Sequence, residues 1–218
     1  MKTKIAVLIG RGSRLPNLYE KLKDSPHIEF RVVISHKKEA PGIDFAKSKG
    51  IDAYYFRITD WYKEKSGKAA SELTPEKKHE LRKSYMLSLA NQLKERQVNF
   101  IFMTGWDLIM LNELLSQFPA QVVNVHPSLL PSFPGENAWI AALDYGVKIA
   151  GATVHFVIDE SMDTGPIILQ KCVDIEETET ADSLRQKLNV VEDELAPKAV
   201  ELFSQNKLKI EERKVIIK

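Results

Sequence analysis

The chain has 218 residues, enough to bury a substantial core, and its 44% hydrophobic and 28% charged composition is that of an ordinary globular protein. Lys and Arg total 31 against 30 Asp and Glu; this net charge of +1 argues against a general nucleic-acid or membrane-surface binder, because those partners require a basic excess. One cysteine excludes an internal disulfide, no Cys/His cluster suggests a metal site, and no run approaches the roughly 20 apolar residues of a membrane span, so a cytoplasmic protein is expected.

Ile5 to Ile9 reads as a buried strand. The turn Gly10-Arg11-Gly12-Ser13 and a helix from about Leu15 follow it. Phe30 to Ser35 is a second strand, and Ile43 to Lys49 a helix stopped by Gly50. Ile51 to Phe56 is a third strand. Residues 61 to 79 are polar and read as a surface excursion. Thr74-Pro75 opens a helix, with proline in the first turn where its missing N–H does no harm. Asn99 to Thr104 and Val122 to His126 are the fourth and fifth strands. This rhythm predicts an α/β fold, a Rossmann-like, mostly parallel sheet flanked by helices.

The second half reads differently. Asn137 to Tyr145 is a helix, while Ala152 to Ile158 and Pro166 to Val173 are strands added to the sheet. From Thr180 to Phe203 the chain is helical, with Leu184, Leu188, Val191, Leu195 and Leu202 on one face. Pro197 should interrupt or kink that helix. Lys207 to Ile217 supplies a last extended segment. Cys172 is expected as a small buried strand residue, and His27, His36 and His79 as solvated side chains. One domain spanning 1–218 is expected, with a phosphate- and substrate-binding half (1–121) and a catalytic half (122–218).

Two segments carry chemistry. The glycine turn after the first strand brings free N–H groups to a helix start, which suits a single phosphate, with Arg14 adding charge. It lacks the third glycine of a dinucleotide fingerprint and the lysine of a P-loop. The stronger segment is Val123-Asn-Val-His-Pro-Ser-Leu-Leu-Pro-Ser-Phe-Pro-Gly135. Asn124 and His126 are two apart, so they share a strand face at the C-terminal edge where parallel sheets bind ligands. An amide donor beside an imidazole suits acyl transfer: the amide holds the carbonyl oxygen as it becomes an oxyanion, a contribution of roughly 3 kcal/mol. The imidazole moves a proton or carries positive charge. A carboxylate should accompany it, and Asp163 lies in a loop between two strands. His155 alternates with Val154 and Phe156 and is expected as a buried, hydrogen-bonded support.

Asn124-Val-His-Pro-Ser-Leu-Leu-Pro131, Gly151-Ala-Thr-Val-His-Phe-Val157 and Met162-Asp-Thr-Gly-Pro-Ile-Ile168 resemble the signature of the phosphoribosylglycinamide formyltransferases. The resemblance implies transfer of a formyl group from 10-formyltetrahydrofolate, as cosubstrate and without a metal, to the amine of glycinamide ribonucleotide. It implies catalytic roles for Asn124, His126 and Asp163. Gly12, Ser13 and Arg14 would hold the phosphate, Glu192 would meet the ribose or glycinamide, and Arg82 would lie near the folate tail or substrate. Leu108, Ile109 and Met110 would line the folate, and Ile158, Asp159 and Glu160 would border the pterin. A monomer or homodimer with small-molecule partners is expected. The sequence departs from the family pattern at Arg14, Asp107, Leu108 and Trp139, which leaves open a formyltransferase on another amine, such as an amino-sugar nucleotide, or a 10-formyltetrahydrofolate hydrolase.

Overall fold

The computed structural model describes residues 2–218, and alternation along its strands decides the layering. In β1 (Thr3–Ile9), Ile5, Val7 and Ile9 enter one apolar layer, and Ala6 and Leu8 the other, because successive strand residues face opposite sides. All five are completely buried, as in a strand covered on both faces.

The elements that follow are α1 (Leu15–Leu22), β2 (Ile28–Ser35), α2 (Pro41–Ser48), β3 (Asp52–Tyr55), α3 (Ile58–Ser66), α4 (Pro75–Glu95), β4 (Phe100–Thr104), α5 (Asn112–Leu115) and β5 (Val122–His126). The second half contributes α6 (Ala138–Tyr145), β6 (Ile149–Phe156), β7 (Ile167–Asp174), α7 (Ala181–Ser204), β8 (Leu208–Glu211) and β9 (Lys214–Ile217). The strands form one sheet in the order β3-β2-β1-β4-β5-β6-β7-β9-β8. β1 to β5 pair in parallel, and β6 and β7 add antiparallel strands beyond β5. The Rossmann-like arrangement read from the sequence is therefore the observed one. α1, α2 and α7 cover one face of the sheet, and α3, α4 and α5 the other.

Four details differ from the sequence reading. Residues 61–79 are no surface loop: they contain most of α3 and the start of α4. Tyr62 and Leu73 are buried and Trp61 partly so, because three apolar side chains in a polar stretch suffice to dock it on the second layer. Cys172 is exposed, since the middle of β7 turns one face to solvent. The last extended segment is a hairpin, β8 and β9, turning at Glu212 with φ +54°.

The fourth concerns Pro197, which is buried inside an uninterrupted α7. Proline deprives the carbonyl four residues earlier of its helical donor. That carbonyl belongs to Asp193, and Asn17 Nδ2 of α1 donates to it at 2.8 Å. A side chain from another helix thus replaces the lost backbone bond. The glycine turn also has a packing cause. Gly12 has φ +77°, and a Cβ there would stand 2.6 Å from Ile9 Cδ1 and 2.8 Å from Gly42 Cα, so glycine lets α2 approach the turn.

Candidate active site

The C-terminal end of β5 carries the first two side chains, and antiparallel β6 brings up the next. Register pairs Asn124 with His155 and His126 with Thr153. The chain after β5 is fixed by Thr153, whose Oγ1 donates to Ser128 O at 2.6 Å and accepts from Leu130 N at 3.1 Å. Gln170 Nε2 adds bonds to Leu130 O and Thr153 Oγ1, both 2.9 Å. This lattice sets the Phe133 carbonyl 3.0 Å from His126 Nε2.

Asp163 comes from the β6–β7 loop, with a positive φ of +54°. Its carboxylate is one-tenth exposed and bridges both histidines: Oδ2 is 3.4 Å from His126 Nδ1, and Oδ1 is 3.5 Å from His155 Nε2. Oδ2 also accepts from Gly135 N at 2.9 Å. Burial alone would raise this carboxyl; the His155 hydrogen bond, the His126 charge and the Gly135 N–H outweigh it and hold the group below the ordinary carboxylate range. Burial pushes the His126 ring below its ordinary value, and Asp163 opposes that shift.

Carbonyl partners assign the protons on the rings. His155 is completely buried and faces Phe156 O through Nδ1 at 2.9 Å. Its Nε2 is left as an acceptor for Asn124 Nδ2 at 3.4 Å, which orients the amide. His126 directs Nε2–H to Phe133 O, so a proton on Nδ1 faces the carboxylate. The site therefore favours a charged His126 ring beside an oriented amide donor.

These groups open into a cavity of ≈ 540 Å³, within the range of small-ligand sites. Asn124, His126, Asp163, Leu108, Ile109, Met110, Asp159 and Glu192 all line it. Gly12, Ser13, Arg14, Arg82, Ile158 and Glu160 lie outside the lining. Arg14 turns to α7, where Nε is 2.6 Å from Glu192 Oε2 and the guanidinium also bonds Asn189 Oδ1. Arg82 Nη2 donates to Ile109 O at 3.0 Å, and Glu160 Oε1 accepts from Asn112 N at 2.8 Å. Glu192 is held by two guanidiniums, since Arg185 Nη1 donates to Oε1 at 2.8 Å. Burial raises the Glu192 carboxyl and lowers the Arg14 guanidinium, each opposed by the other.

His36 is buried, not solvated as its polar neighbours suggested. Its Nε2 is 2.9 Å from Asp107 Oδ2 in an ion-pair contact without hydrogen-bond alignment, and its edge meets the Trp106 ring. Lys37 Nζ reaches the same oxygen at 3.0 Å. The His36 contact first, with help from Lys37 and against burial, holds the Asp107 carboxyl at about 2. A carboxyl depressed by folding stabilises the fold above its unfolded value and loses that contribution as pH falls through its folded value. The melting-temperature advantage of wild type over Asp107→Asn should therefore be steady above roughly pH 5, narrow below it and vanish by about pH 2; a difference independent of pH would contradict this assignment.

Lys37 and Arg185 also line the cavity, although neither belongs to a motif. The one signal for Arg185 was its seven-residue spacing from Glu192, two helical turns along the same face. No helix among the described residues is long and apolar enough to cross a membrane.

The formyl transferase family model matches residues 3–200. The phosphoribosylglycinamide formyltransferase of Bacillus subtilis (strain 168) is 30% identical over 201 residues, 92% of this chain and 93% of the relative. The trifunctional purine biosynthetic protein adenosine-3 of Bos taurus is 30% identical over 213 residues; they make up 97% of this chain but 19% of that protein. The crystal structure of glycinamide ribonucleotide transformylase 1 from Symbiobacterium toebii superposes with a TM-score of 0.84 at 33% identity, covering 99% of this chain and 94% of that one. A family match over nine-tenths of the sequence and a relative matched along nearly its whole length lead to one attribution: the chain belongs to the formyl transferase family, among its phosphoribosylglycinamide formyltransferases.

Proposed function

We propose that this protein transfers the formyl group of 10-formyltetrahydrofolate to the amine of glycinamide ribonucleotide, in the cytoplasm, by direct attack of the amine. The observation that carries the reading is the convergence of Asn124, His126 and Asp163 from two distant segments on one cavity. The amine nitrogen bonds the formyl carbon and a tetrahedral oxyanion forms. The Asn124 amide donates to that oxygen while His126 supplies positive charge, an arrangement fixed before reaction begins. Asp163 favours the charged ring. As the bond from carbon to the donor nitrogen breaks, the proton lost by the amine passes to that nitrogen, with Asp163 and water as its route.

Residues 1–218 act as one domain in this reading, with residues 1–121 as the acceptor half. Gly12 and Ser13 meet the acceptor's phosphate, and Arg14 acts by holding Glu192 toward the ribose or glycinamide. Leu108, Ile109, Met110 and Asp159 contact the folate. Arg82 acts through the Ile109 carbonyl, and Ile158 and Glu160 shape the loop beside the pterin. The test is purified protein with 10-formyltetrahydrofolate, with and without glycinamide ribonucleotide. Tetrahydrofolate should appear only with the acceptor. Release of formate without it, or turnover only with a different amine, would replace this reading.

A further inference from the structure

Arg185 is a cation in the cavity wall that the chemistry above leaves unused. Its guanidinium lies over the Trp139 ring, 4.8 Å from the centroid, and both residues line the cavity. Nη1 is tied to Glu192, and the side chain is 28% exposed. Arginine has five N–H donors, and among the described residues this guanidinium makes that one hydrogen bond. The planar group is thus braced on its face by the indole and at one nitrogen by a buried carboxylate. Its remaining donors are left to whatever occupies the cavity.

The rest of the lining sharpens the point. Glu136, Asp159, Asp163 and Glu192 repel an anion. Lys37, the other lining residue with a permanent positive charge, is already engaged by Asp107. Two guanidiniums share the Glu192 carboxylate, with Asp193 3.9 Å from Arg14 offsetting charge on the Arg14 side only. Positive charge is therefore left over on the Arg185 side. A braced fork of this kind matches the oxygens of phosphate better than a mobile lysine does.

We propose that Arg185, positioned by Trp139 and Glu192, is the anion-recognising residue of this cavity and takes the phosphate of the acceptor. The inference rests on formyl transfer to a phosphorylated acceptor, and two assays separate its failure from failure of that reading. In the first, ribose 5-phosphate and ribose are titrated calorimetrically into wild type, Arg185→Met and Arg185→Lys, with no turnover required. Wild type should bind the phosphorylated sugar and not ribose. Arg185→Met should bind it about tenfold or more weakly, the loss of a charged hydrogen-bonded contact, with Arg185→Lys between them. In the second, the KM for glycinamide ribonucleotide should rise by a similar factor in Arg185→Met, while the KM for 10-formyltetrahydrofolate and the use of the dephosphorylated riboside follow wild type.

Equal binding of ribose 5-phosphate by wild type and Arg185→Met, or binding by neither, overturns the anion site. A rise in the folate KM alone assigns the guanidinium to the donor's carboxylates and overturns the phosphate assignment. An equal penalty on the riboside reduces Arg185 to a prop for Glu192 and also overturns it. Phosphate-dependent sugar binding that vanishes in Arg185→Met, in a wild type inert toward glycinamide ribonucleotide, upholds the site and removes that acceptor instead. Melting temperatures of both variants check that each is folded.

Discussion

Asp163→Asn should lower kcat/KM by about 10²- to 10⁴-fold, the usual range for a lost proton-transfer partner, and His126→Ala should fall in the same range. The carboxylate is the hinge of the site: it touches His126, His155 and the Gly135 N–H within 3.5 Å. An amide at this position keeps the shape and removes the charge that sustains a protonated His126. Burial already depresses that ring, so the basic limb of the pH–rate profile, where activity is lost as the ring deprotonates, should move to lower pH in Asp163→Asn. The variant should also melt earlier at neutral pH. Folding lowers the Asp163 carboxyl, so its charge stabilises the native state above the unfolded value, and that contribution disappears as pH falls through the folded value. Near-wild-type turnover in both variants, or an unmoved basic limb, would remove the triad from the mechanism.

A second large effect is expected at Gly165, which touches no ligand. A Cβ there would lie 1.7 Å from Phe156 O and 2.8 Å from Phe156 C, both backbone atoms at the end of β6. No rotamer change relieves such a contact, so Gly165→Ala must part β6 from the returning chain, where Phe156 N donates to Pro166 O at 2.9 Å. The same carbonyl fixes the His155 ring, and Asp163 is two residues upstream. Overpacking of this kind costs about 1–3 kcal/mol, and turnover should drop with it as Asp163 and His155 lose their places. Denaturant midpoints and steady-state rates on one preparation check both halves. A stable, fully active Gly165→Ala would show that the loop can give way freely.

The strands were legible because each carries its own signal. Continuous apolar runs at Ile5 to Ile9 and Val122 to His126 can be satisfied only by a sheet covered on both faces. Asn124 and His126 could be placed on one face by counting, since the period of a strand is two. The short helix α3 was hidden because its apolar residues are sparse, and only the layer it docks on makes them decisive. Pro197 misled for a related reason. The cost of proline in a helix is local, and the compensation, a bond from Asn17 to the Asp193 carbonyl, arrives from 176 residues away in the chain.

By itself, then, the sequence determined the alternating α/β order, the identity of the amide and imidazole at a strand end, and the covered faces of the sheet, since these follow from periodicities of two and 3.6 residues that act within one element. Tertiary structure alone decided that Asp163 bridges two histidines, that Arg14 turns away from the cavity to Glu192, that His36 is buried against Asp107, and that Arg185 stands on Trp139. Each of these depends on where a side chain from one element ends relative to another. Distance and desolvation then set its charge state and its partner, and neither quantity exists until the chain has folded.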